Sequence, residues 1–147
     1  VQPEARQLVD DTFEAMRLGI AAIRPGGAVG DIGAAIQAFA FRRNYAVVEA
    51  FAGHGIGRVF HGSPTISHVG RAGTGLPFVP GMTFTVEPML NLGRKDYASA
   101  MHDPWIARTK DGTLSAQWEH TVTVGEDGYA DVLTLGEGQT LDLSIED

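Results

Sequence analysis

The stretch SAQWEHTVTVGEDGYADVLTL, residues 115–135, decides the class of fold. Its first part alternates with period two, the period of a strand: Gln117, Glu119, Thr121 and Thr123 fall on one side, and Trp118, His120, Val122 and Val124 on the other. Glu126-Asp127-Gly128 supplies a turn, and residues 128–135 read as the return strand, so the two pair antiparallel. Upstream, GMTFTVEPML (81–90) has the same alternation, with Thr83, Thr85 and Glu87 opposite Met82, Phe84 and Val86. YAVVEAFA (45–52) reads as another strand, and RTKDGTLS (108–115) as a turn marked by Asp111-Gly112.

Before residue 45 the period is helical. Val9, Phe13, Met16, Ile20 and Ile23 recur at three- and four-residue steps, predicting an amphipathic helix over 3–23 that RPGG (24–27) stops. Asp10 and Asp11 fall on its polar side and read as solvated charge. A second helix is expected from about Asp31, with Ile32, Ala35, Ile36 and Phe39 as its stripe. Arg42 and Arg43 suit its C-terminal end, and Asn44 the position beyond. Helix, helix, then antiparallel strands is an α+β order, with two helices packed on one sheet. Residues 1–135 read as one unit, and 136–147 as a loosely held acidic tail.

Composition narrows the chemistry. A net charge of −7 argues against a broad phosphate-backbone footprint and hence against nucleic acid as the main ligand. The absence of cysteine removes disulfides, thiolate nucleophiles and Cys-type zinc sites, leaving His, Asp and Glu to hold any metal. No apolar run is long enough for a membrane helix, and no signal peptide is visible, so a cytoplasmic protein is expected. The chain opens on Val1 without an initiator methionine, and a start that is not the natural one is expected.

FAGHGIGRVFHGSP (51–64) sets His54 and His61 among four glycines, at 53, 55, 57 and 62. Glycine this dense is expected where backbone approaches another group closely or takes a positive φ. With Glu87 and Glu119 each on a threonine-lined strand face, the chain has the donors of a hard-metal site. On the pattern alone, solvated carboxylates are the favoured reading and a metal site the second. Among the other polar candidates, His68 and His102 read as surface-loop histidines, His120 as partly buried and structural, and Trp118 as core.

GHGIGRVFH, PGMTFTVEPM and DGTLSAQWEHTVTV, in this order and at these distances, resemble the methionine aminopeptidases, in particular the type I, bacterial-style branch of the pita-bread metallopeptidases. The resemblance runs from the first helix to about Leu135 and implies the C-terminal portion of a pita-bread fold, with the two helices on a curved antiparallel sheet. It implies two divalent cations, with cobalt, manganese, iron and zinc not distinguished. His54 matches a metal ligand, Glu87 a ligand that also moves the proton, and Glu119 the ligand bridging both metals. His61 matches a histidine that hydrogen-bonds substrate, Phe60 and Trp105 match walls of the methionine pocket, and Ser115 a residue near a monovalent cation. The implied partners are the N-termini of peptides and nascent proteins, and with them the ribosome.

The family's two aspartate ligands precede the histidine and have no match here. Asp131 and Asp142 share their spacing but follow both glutamates, and read as chance. An N-terminal half carrying those aspartates is therefore the expected further partner, and the 147 residues alone are expected to be inactive as a peptidase. Two other readings are open: a proline-specific aminopeptidase or prolidase of the same fold, and a binding protein without catalysis. VEPMLN and QWEHT side with the methionine enzymes, as does the lack of a long insertion between His61 and Glu87 with their type I branch.

Overall fold

The computed structural model describes residues 1–100 and 102–145; Glu146 and Asp147 of the acidic tail lie outside the described residues. Helix α1 spans Pro3–Ala21, with Pro3 in the first turn, where its missing N–H costs nothing. Its buried face is Leu8, Thr12, Ala15, Met16, Gly19 and Ile20, a stripe rotated from the expected one, so that Val9 is left 37% exposed. Helix α2 spans Val29–Arg42, and Asp31 holds its entry by accepting the N–H groups of Ala28 (2.8 Å) and Gly73 (2.6 Å). Asn44, at φ 59°, closes it in the left-handed conformation.

Asp11 departs from its expected solvated role. It is 5% exposed, accepts the Tyr45 hydroxyl at 2.8 Å and lies 3.8 Å from the Arg43 guanidinium, tying α1 to the end of α2. Burial and the Asp11 carboxylate together push the Tyr45 phenol up to about 12. Asp10 keeps the solvated role and pairs with Arg6 on the surface at 2.9 Å.

Among the described residues ten strands follow: β1 (Ala46–Val47), β2 (Gly53–Gly55), β3 (Gly62–Ile66), β4 (Thr83–Val86), β5 (Met89–Asn91), β6 (Tyr97–Ala100), β7 (Asp103–Thr109), β8 (Ser115–Gln117), β9 (His120–Val124) and β10 (Ala130–Val132). Five make an antiparallel sheet in the order β10-β9-β4-β2-β3, three another in the order β1-β5-β8, and β6 with β7 a separate hairpin. That hairpin was not expected from the sequence. The turns at Gly112 and Gly128 fall as expected, both at positive φ, 75° and 84°.

The long expected strands are each divided. Residues 45–52 yield only β1; 81–90 breaks at Glu87-Pro88 into β4 and β5; 115–127 breaks at Trp118-Glu119 into β8 and β9. Proline has no N–H for the ladder, which explains one break. The two breaks lie opposite each other. Val86 pairs with His120 and Met89 with Gln117, so pairing stays in step across the gap and Glu87 faces Glu119.

The expected faces hold on both strands. Phe84, Val86, Val122 and Val124 enter the core with Met16, Ile20, Ile32 and Ile36 from the helices. On the other face the paired Thr83 and Thr123 hydroxyls meet at 3.2 Å. Trp118 is partly core: its ring meets Phe13 edge-on at 5.2 Å and its indole N–H donates to the Val9 carbonyl at 3.0 Å, with 40% of the residue exposed. The tail is held more firmly than expected. Leu141 and Leu143 pack against the core, and the Arg17 guanidinium donates to the carbonyls of Asp142 (2.9 Å) and Ser144 (2.8 Å).

Candidate functional site

His54 sits at the centre of β2 between two buried glycines. A Cβ on Gly55 would collide with the Ser63 carbonyl oxygen, and one on Gly53 with that of Thr85. At both glycines the close approach is thus to neighbouring backbone, on β3's leading edge and on β4. The close packing fixes β2 and with it the imidazole. His54 Nδ1 lies 3.1 Å from the Gly55 carbonyl, which assigns its proton there and leaves Nε2 as a lone pair. Nε2 is 3.6 Å from Glu87 Oε1, with both side chains 14% exposed.

Thr85, 1% exposed, links the same two residues through its hydroxyl. Its Oγ1 accepts the His54 N–H at 3.0 Å and donates to Glu87 Oε1 at 2.7 Å. Gln117 reaches the other oxygen, Oε2, at 3.4 Å. Glu119 stands across the break. Partial burial first, and then repulsion from Glu87, raise its carboxyl above the ordinary glutamate range, against the opposing pull of His54 and His61. Among the described residues neither glutamate has a lysine or arginine within 4.0 Å. Like charges set opposite one another are unfavourable, so this pair stands without a compensating cationic side chain within that distance among the described residues.

His61 and Phe60 complete the cluster. The His61 ring meets His54 edge-on at 4.4 Å, and Phe60 packs on His61 at 4.6 Å and on His54 at 5.6 Å. Phe60 is 66% exposed, an apolar surface beside the imidazoles and open to a ligand. Trp105 stands apart. It lies on β7, 91% exposed, and no ring contact among the described residues joins it to Phe60. His102 is exposed in the β6–β7 turn, and His120 is partly buried against Thr134 Oγ1 at 2.8 Å, with its pKa lowered by burial, as a structural histidine should be.

His68 is the residue that sequence reasoning misplaced. It is 2% exposed, its Nε2 accepts the Glu87 backbone N–H at 3.1 Å, and it hydrogen-bonds the Phe51 backbone. Burial lowers its pKa to about 4, so the ring is neutral. The signal was present in TISH: Ile66 is buried, Thr65 and Ser67 are exposed, and His68 falls on the buried side of that alternation. Among the described residues no group of three or more His, Asp or Glu side chains is gathered as a metal cage; His54 and Glu87 adjoin, and Glu119 faces them.

Residues 1–126 match the metallopeptidase family M24. Methionine aminopeptidase A of Synechocystis sp. is 54% identical over 135 residues, which are 92% of this chain and 53% of that protein. The crystal structure of methionine aminopeptidase from Rickettsia prowazekii superposes with a TM-score of 0.89 at 47% identity, covering 92% of this chain and 54% of the other. That of methionine aminopeptidase from Thermotoga maritima superposes at 0.86 and 33% identity, covering 91% and 53%. The expected portion of a pita-bread fold is thus borne out, and the chain spans about half the length of the curated relatives it matches. The chain belongs to metallopeptidase family M24.

Proposed function

We propose that these residues supply the histidine and glutamate side of a two-metal centre that removes the N-terminal methionine from peptides and nascent proteins. The observation that carries the reading is Glu87 facing Glu119, with the His54 lone pair at 3.6 Å from Glu87 and no lysine or arginine neutralising them among the described residues. Two carboxylates and one imidazole fit divalent manganese, iron, cobalt or zinc. Such cations, when bound, polarise a peptide carbonyl and acidify a water. A segment outside residues 1–147 contributes the remaining aspartates, in keeping with the half-length coverage of the relatives.

Each side chain then has a defined task. Glu87 Oε1 is engaged by the Thr85 hydroxyl on the His54 side, and Oε2, held only by the long 3.4 Å contact with Gln117, takes a proton from water and passes it to the departing amine. Glu119 would help hold the cations from the opposite side. His61 donates where negative charge develops on the substrate carbonyl, and Phe60 offers an apolar wall for the methionine side chain. The family resemblance alone assigns Trp105 to the pocket wall, since it stands on β7 apart from Phe60. A monovalent cation near Ser115 is supported by Asn91, its register partner, whose buried Oδ1 has no hydrogen-bond partner among the described residues. No helix among the described residues is long and apolar enough to cross a membrane; the cytoplasm and the ribosome's nascent chains are the proposed setting.

The test is release of methionine from a methionyl tripeptide by the complete gene product, with manganese or cobalt added back after chelation. Metal-dependent release that Glu119→Gln abolishes is expected. Cleavage of X-Pro peptides instead would favour the proline-specific reading, and metal binding without hydrolysis of either would favour a binding protein.

A further inference from the structure

We propose that His68 is a positioning residue that sets Glu87 against His54 through the backbone. Glu87 lies in the break between β4 and β5, where the ladder supplies no partner, and the following Pro88 has no N–H. The buried His68 ring fills that gap, its Nε2 accepting the Glu87 N–H at 3.1 Å. Its other nitrogen must then carry the proton and donate to the carbonyl of Phe51, three residues before His54. One imidazole therefore ties together the two segments that bring His54 and Glu87 together. The ladder pairing of β2 with β4 is confined to Gly55 and Phe84, so His68 adds a backbone tie to the side-chain link that Thr85 makes between His54 and Glu87. His68 is too deep to touch a substrate, and its effect passes only through Glu87 and His54.

The inference rests on the metal-centre reading, and three variants of the complete gene product test it. His68→Gln presents an oxygen near the Nε2 position and keeps the acceptor for Glu87. His68→Asn presents an amide N–H near Nδ1 and keeps the donor to Phe51. His68→Phe fills the volume and keeps neither. The readouts are cobalt(II) affinity by visible absorption, thermal midpoint without metal, and kcat and KM on a methionyl tripeptide. Loss of such an outer partner costs ~10–100-fold in metal affinity or activity. We expect that loss in Asn and Phe, seen in cobalt affinity and kcat with KM little changed, and recovery to near wild type in Gln. Equal cobalt affinity in Asn and Gln would overturn the proposal, as would losses that merely follow the thermal midpoint. If Phe does not fold, the Asn and Gln pair decides alone. Wild-type protein that binds cobalt yet cleaves no methionyl peptide would overturn the proposed activity and leave the His68 comparison to be read from affinity.

Discussion

Glu119→Gln should stabilise the metal-free protein and destabilise the metal-loaded one. In the apo form the substitution removes a negative charge directly opposite Glu87. A like-charged cross-strand pair costs ~0.2–1 kcal/mol, and solvent screening of the largely exposed Glu119 puts the gain at ~0.5 kcal/mol. For a chain of this size that is a rise of roughly 2 °C in thermal midpoint. The pH dependence has a definite sign. The folded-state pKa of Glu119 is raised, so between the ordinary glutamate value and the raised one the folded state holds more protons than the unfolded. Stability of the wild type therefore falls as pH rises through that window, and the advantage of glutamine appears above it and vanishes below. With metal the order inverts. A divalent cation at a hundred times its Kd adds ~2.7 kcal/mol to the wild type, while the variant has lost a ligand. Melting curves of chelated and manganese-loaded protein between pH 4 and 8 provide the assay. An apo variant less stable than wild type at neutral pH, or equal stabilisation of both by metal, would refute the reasoning.

Thr85→Val keeps the shape but leaves the His54 N–H without its acceptor and Glu87 Oε1 without its hydroxyl donor; urea titration should show a loss of ~2 kcal/mol. Gly55→Ala drives a Cβ against the Ser63 carbonyl, so a loss of ~1–3 kcal/mol is expected in the same titration, and unchanged stability would count against the packing explanation. His61→Ala should lower kcat by about 10²–10³ at unchanged cobalt(II) affinity, because its task is to the substrate and not to the metal.

Much of the site was legible because strand alternation is a local property. Thr85 and Glu87 share a face by counting residues, and so do Glu119 and Thr121. The wording around His54, Glu87 and Glu119 carried the family. The same local reading made Asp11 a solvated charge, since nothing in the helix period announces Tyr45 arriving from the end of α2. His68 illustrates the boundary well: its alternation with Ile66 marks it as inward, yet only the fold shows that Glu87 is what it meets.

By itself the sequence determined the α+β order, the two helices, the two later turns and the faces of the long strands, because periodicity, proline and glycine act within a few residues. The tertiary structure alone decided that the breaks at Glu87-Pro88 and Trp118-Glu119 coincide, and so set two carboxylates face to face. It also decided that the glycines beside His54 serve neighbouring carbonyls, and that the β6–β7 hairpin forms apart from both sheets. These outcomes depend on pairing and burial between segments distant in the chain, and no local period encodes which segment will lie opposite which.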